Sequence, residues 1–223
     1  MNLRIAVGST KTFSEKTLPI IIPTLLSNGF NKDEIVIFDN GYEKRTVGSY
    51  EGIEHVKTDH NSIDQTALIE LAEFDYPADY WFYTPDTCRM GPNFGELVRN
   101  IPEGMPEKVA ARTFPSMSIG SYKYSYIKEE ADYILAMKNT DISPVGVAKF
   151  KIVSFGLEDA LLWKLDPHLT EVYNTHIPGV ITTLEDDGAF GGAAKRIIEH
   201  LHSLDIYKYK ANWGQGGYPV VVL

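Results

Sequence analysis

Leu3-Arg4-Ile5-Ala6-Val7-Gly8-Ser9-Thr10 reads as a buried strand, Leu3 to Val7, that ends at Gly8-Ser9-Thr10. Apolar residues then recur at Leu18, Ile21, Ile22, Leu25 and Leu26, the spacing of one helix face. Ser14 stands where a cap is expected and Gly29 where a helix stops. Glu34 to Phe38 is a second apolar strand, closed by the turn-forming residues Asp39-Asn40-Gly41. A strand, a crossover helix and a second strand in so short a span predict a parallel pair.

The pattern continues outward from this unit. Ile53 to Val56 is a short third strand, and Asn61-Ser62 precedes a helix with apolar positions Ile63, Ala67, Leu68, Leu71 and Ala72. Tyr80 to Tyr83 makes the fourth strand. The alternation predicts an α/β fold, a mixed and mainly parallel sheet flanked by helices. In such sheets ligands bind beyond the carboxyl ends of the strands, where Gly8, Asp39 and Asp86 fall. Past Asn100 the pattern loosens. Val109 to Phe114 reads as a strand, and Ile119 to Ile127 is rich in Tyr, Ser and Gly. Glu129 to Met137 reads as a helix, and a polar connection from Asn139 to Pro144 leads into Val145 to Phe155. Ala193 to Leu204 reads as a last long helix.

Composition narrows the function classes. At 223 residues the chain suits one domain with a single sizeable core, residues 1–223. A formal charge of −9 argues against nucleic acid, whose phosphates call for a basic face, but leaves room for a small anion held by one or two cations. No stretch approaches the roughly 20 apolar residues of a membrane helix. Leu18 to Leu26, the longest candidate, contains two prolines. Cys88 is the single cysteine, which excludes an internal disulfide and suits a reducing compartment. It reads as a small filler beside Asp86 rather than a nucleophile, since no positioned base accompanies it. The opening residues lack the basic and long apolar regions of a signal peptide, so a cytoplasmic location is the expectation.

Two motifs carry chemistry. Thr84-Pro85-Asp86-Thr87 follows the aromatic run Tyr80 to Tyr83 and leads through Cys88-Arg89-Met90-Gly91-Pro92-Asn93-Phe94 into an apolar-periodic stretch. Further on, Phe155-Gly156-Leu157-Glu158-Asp159-Ala160-Leu161-Leu162-Trp163 is expected to put two carboxylates at the mouth of an amphipathic segment. Together they resemble the signature of nucleotide-sugar-dependent glycosyltransferases of the GT-A fold, family 2-like. There a strand ends in Asp-x-Asp-Thr, a turn with Gly or Pro and Phe follows, and a later Glu-Asp opens a helix. Thr84 stands at the first Asp of that motif, so Thr84-Pro85-Asp86 is a degenerate version of it.

The resemblance implies a Rossmann-like GT-A domain, with a nucleotide-binding half over residues 1–100 and an acceptor-binding half over 101–223. It implies transfer of a sugar from a UDP or GDP sugar to the hydroxyl of a glycan or other acceptor. Donor contacts are expected from Gly8, Ser9, Thr10, Asp39, Asn61, Thr84, Asp86 and Thr87. A divalent cation, Mn²⁺ or Mg²⁺, is expected on Asp86, with His176 as a further ligand. Asp159 is the expected general base, with Glu158 orienting the acceptor.

Each of these residues also has a plainer reading. Asp86, expected on an exposed loop, can simply cap the Gly-Pro turn. Glu158-Asp159 can be ordinary acids complementing the dipole of a first turn. His168 and His176 can be surface or hydrogen-bonded core histidines, and Glu185-Asp186-Asp187-Gly188 a solvated turn. Gly191-Gly192-Ala193-Ala194-Lys195-Arg196 can reach a diphosphate, yet it fits neither the Walker loop nor the dinucleotide fingerprint. Trp213 to Tyr218 suits sugar stacking or a docked tail. Two other functions stay open. One is a sugar-phosphate nucleotidyltransferase, for which Gly8-Ser9-Thr10-Lys11 is a poor match; the other is a noncatalytic sugar- or partner-binding module on the same fold.

Overall fold

The computed structural model describes residues 2–100, 108–110, 119–165, 181–184 and 196–211. In chain order the elements are β1 (Leu3–Thr10), α1 (Ser14–Ser27), β2 (Ile35–Asn40), β3 (Thr46–Tyr50), β4 (Ile53–Lys57), α2 (Thr66–Glu73), β5 (Tyr80–Pro85), β6 (Cys88–Met90) and α3 (Phe94–Arg99). They continue with β7 (Lys108–Ala110), β8 (Gly120–Lys123), α4 (Tyr124–Glu129), α5 (Ala131–Leu135), α6 (Pro144–Leu165), β9 (Ile181–Leu184), β10 (Arg196–Leu201) and β11 (Ile206–Ala211).

The main sheet runs β3-β4-β2-β1-β5-β8-β7. Its four central strands, β4, β2, β1 and β5, are parallel, and antiparallel strands close both sides. This is the mixed, mainly parallel α/β sheet expected from the alternation of strand and helix. The odd-numbered residues Ile5, Val7, Ile35 and Ile37 pack, with Phe82, against Leu18, Ile21, Ile22 and Leu25 of α1. The opposite face, with Ala6, Val36, Phe38, Trp81 and Tyr83, packs against α2 and against Ile127 and Ile134 of α4 and α5. A second, antiparallel sheet, β6-β11-β10-β9, joins the α1 layer through Cys88, Met90, Leu201 and Ile206. Among the described residues no helix is long and apolar enough to cross a membrane.

Helix α1 forms although Pro19 and Pro23 lie inside it. An interior proline costs about 3 kcal/mol, while each fully buried aliphatic side chain contributes about 1.5–3 kcal/mol. Leu18, Ile21, Ile22 and Leu25 are all buried, so packing prevails over propensity. Ser14 is the first helical residue rather than the cap, which is Phe13.

Four expectations about the framework are corrected. Asp39 and Asn40 are the last residues of β2, paired beside Lys57 and Thr10, and only Gly41, at φ 89°, turns the chain. Glu129 to Met137 is not one helix: α4 begins at Tyr124, and α5 follows it as a separate short helix. Glu158 and Asp159 do not open a helix but lie well inside α6, which is 22 residues long. The physical reason is that Pro144 makes a good first helical residue and nothing from Val145 onward breaks the turn except Gly146 and Gly156, which a long helix tolerates. Of the final helix expected from Ala193 to Leu204, the described residues, from Arg196 on, belong to a hairpin instead. Its strands β10 and β11 pair antiparallel from Arg196↔Ala211 to Leu201↔Ile206. The β-branched Ile197-Ile198 and the partner strands β6 and β9 override an ambiguous apolar period.

Candidate functional site at the carboxyl ends of the parallel strands

Side chains alternate along a strand, so the α1-facing series Ile5, Val7 on β1 continues to Ser9, and Ile35, Ile37 on β2 continues to Asp39. Ser9 and Asp39 are register partners. Gly8 pairs with Pro85, which brings Asp86 alongside them. Three residues far apart in sequence thus meet on one face under the first turns of α1.

Asp86 is buried, not exposed on a loop as expected from sequence. Its Oδ2 accepts from Ser9 Oγ at 2.6 Å and from Thr17 Oγ1 at 2.5 Å, and its backbone N donates to Gly8 O at 2.8 Å. Its pKa is pushed up to about 6, by burial above all and in small part by Asp39, against the opposing pull of the Ser9 and Thr17 hydroxyls and the charge of Lys208. The next residue, Thr87, is held from the second sheet: Lys208 Nζ donates to Thr87 Oγ1 at 2.7 Å, and Tyr209 N donates to Thr87 O at 2.9 Å. Cys88 is fully buried in the core, which agrees with its reading as a filler.

Asp39 is fully buried too. Its Oδ2 accepts from Tyr42 OH at 2.8 Å and lies 3.1 Å from His55 Nε2, while Oδ1 accepts no hydrogen bond from the described residues. Burial, then the bond to Asp39, pushes the Tyr42 hydroxyl far above its ordinary pKa, so the phenol stays a donor. Lys11 Nζ and Lys57 Nζ lie 5.3 and 5.0 Å from the centre of the Tyr42 ring. The acids therefore sit inward and the lysines outward. In a chain with net charge −9, this strand edge presents cations to solvent over buried acceptors.

The remaining expected residues are less favourably placed. Gly8 leaves no space for a ligand, because a Cβ there would lie 2.6 Å from the hydroxyl of Tyr83, whose side chain fills the gap. Thr10 accepts from Phe13 N through its carbonyl and shapes the loop into α1. Asn61 is tied through its backbone to Asn139, and its amide lies beside Gly41. Thr84 is fully buried, its hydroxyl donating to the Pro85 carbonyl. Glu158 and Asp159 are placed only as far as their positions on α6. His168, His176, Glu185 to Gly188, Gly191 to Lys195 and Trp213 to Tyr218 lie outside the described residues.

Of the expected ligands, His176 lies outside the described residues, and Thr84 and Asp86 turn few free oxygens toward a divalent cation as folded. At a nucleotide site such an ion takes one or two protein carboxylates, with phosphate oxygens and waters completing its shell. Asp86 already holds two hydroxyls on one oxygen, and the Thr84 hydroxyl is turned to a backbone carbonyl. Among the described residues no group of three or more His, Cys, Asp or Glu side chains could hold a metal ion.

Sequence reasoning missed Thr17, Tyr42, His55 and Lys208. Of these only Lys208 had a readable signal: Ile206-Tyr207-Lys208-Tyr209-Lys210 alternates as a strand does.

No protein-family model matches the chain, and no curated protein does. Among solved structures it is similar to S. aureus TarS 1-349, with a TM-score of 0.37 and 11% identity. The likeness covers 57% of this chain and 49% of that one, so this chain spans about half the length of that structure.

Proposed function

We propose that the strand ends bind a nucleoside diphosphate sugar of the UDP or GDP type, and that the protein transfers the sugar to an acceptor hydroxyl. The supporting observation is Asp39 Oδ1, a buried carboxylate oxygen with no donor among the described residues. Native proteins rarely leave such an atom unsatisfied. A nucleobase N–H, N3–H of uracil or N1–H of guanine, would complete it, and Lys11 and Lys57 stand close by for an anionic group. In the transfer the acceptor oxygen attacks the anomeric carbon as the carbon–oxygen bond to the diphosphate breaks. Asp159, with Glu158 orienting the acceptor, takes the hydroxyl proton. The hydrogen bonds around Asp86 hold the turn that carries Thr87.

A noncatalytic sugar- or partner-binding module is the second reading. The burial of Asp86 favours it, because a carboxylate enclosed by Ser9 and Thr17 is a framework group in that case. Isothermal titration with UDP, GDP and a nucleoside triphosphate, followed by donor hydrolysis and transfer assays, tests both. Binding with turnover supports the transferase, binding without turnover the module. A preference for the triphosphate points to nucleotidyl transfer, and no binding of any nucleotide removes the nucleotide reading.

A further inference from the structure

An anionic diphosphate at the end of β5 needs positive charge. The Thr84-Pro85-Asp86 turn does not offer a divalent ion a ligand set, as described above. Lys208 meets the need from another direction. Pairing of β11 with β6 sets Lys208 opposite Cys88, two residues beyond Asp86. The Tyr209 N to Thr87 O bond fixes the backbone of β11 against the turn, and the ammonium rests on Thr87 Oγ1. Lys208 is half-buried and its ammonium donates to Thr87 Oγ1, which leaves two of its three N–H donors without a partner among the described residues. Asp86 is close enough to feel the charge yet is hydrogen-bonded to two hydroxyls instead.

We propose that Lys208, held by Thr87, supplies the positive charge for the donor's diphosphate, so that nucleotide binding does not depend on a divalent cation. This rests on the reading of the strand ends as a nucleotide site. The ammonium is a compact point charge that neutralises phosphate oxygens without the octahedral oxygen shell a magnesium ion demands. Lys11 and Lys57, both near the Tyr42 ring, add positive charge at the ends of β1 and β4.

The test is isothermal titration of UDP and of GDP into the wild-type chain, Lys208→Ala and Lys208→Arg, each in excess EDTA and again in excess Mn²⁺. Circular dichroism melts of the three proteins verify folding. The expected result is wild-type affinity that is the same in EDTA and Mn²⁺, weakened about tenfold or more in Lys208→Ala, the scale of one charge-assisted contact. Lys208→Arg keeps most of the affinity, which separates lost charge from lost packing. A tenfold gain with Mn²⁺ in the wild type, or an unchanged affinity in a folded Lys208→Ala, overturns the proposal and leaves the nucleotide reading standing. Absence of binding by every protein in both conditions overturns both.

Discussion

Ser9 Oγ donates to Asp86 Oδ2 at 2.6 Å, joining the ends of β1 and β5 through one buried carboxylate across 77 residues of sequence. Thr17 brings α1 to the same oxygen. Three elements therefore converge on a group whose proton affinity the fold has raised, and this convergence has measurable consequences.

The first concerns pH. The folded pKa of Asp86 is pushed up to about 6, whereas an unfolded Asp titrates near 4. Between those values the folded state holds the proton more tightly, so the group's contribution to stability falls as pH rises from about 4 to 6, by roughly 2–3 kcal/mol. Asp86→Asn lacks this titration. Urea unfolding at several pH values should show the variant gaining on the wild type through that window and keeping a constant offset from it above. Parallel curves across the whole range would refute the assignment.

Thr17→Val keeps the shape of the side chain and removes one of the two donors to Asp86. With one hydroxyl left for a buried carboxylate, the expected loss is about 1–3 kcal/mol at pH 7. Thr17→Ser, which restores a hydroxyl, should recover most of it. If the serine and valine variants melt together, the bond is not what stabilises this corner.

Asp39→Ala should weaken binding of the cognate nucleoside diphosphate by about 1.5–3 kcal/mol, the range for a hydrogen bond to a charged group. Tyr42→Phe, which leaves the carboxylate in place and removes only its donor, should have the smaller effect on affinity. Titration calorimetry of the two variants decides the matter. An unchanged dissociation constant in Asp39→Ala would reduce Asp39 to a framework residue.

Thr84→Asp restores the acid of the degenerate motif, but at a fully buried position. An unpaired carboxylate there costs several kcal/mol, so the expected outcome is a lowered melting temperature that Mn²⁺ does not restore. Recovery of the melt by Mn²⁺ would show that the turn can rearrange into a metal site after all.

Gly8→Ala places a methyl against the Tyr83 ring and hydroxyl, at 2.8 and 2.6 Å in the present backbone. The expected penalty is about 1–3 kcal/mol. It should shrink in a Tyr83→Leu background, giving a coupling of at least about 0.5 kcal/mol in the double-mutant cycle. Strict additivity would mean that the glycine is needed for some other reason.

Local pattern carried the first ninety residues well. β1, α1, β2 and β5 were legible because their buried faces repeat at the strand or helix period, and a parallel sheet follows from short-range alternation. The strand-end location of Ser9, Asp39 and Asp86 was legible for the same reason, since a strand's end is a local fact. Their arrangement was not. Whether Asp86 faces solvent or α1 depends on register across β1 and β5 and on Thr17 arriving from a helix, and none of these leaves a mark near residue 86. The space beside Gly8 was decided by Tyr83 from the neighbouring strand. Lys208 reaches Thr87 only because β11 pairs with β6, a contact between segments 121 residues apart in the chain. Periodicity, being local, determined the layers of this protein. Which side chains meet at their edge was decided by contacts between elements far apart in the chain.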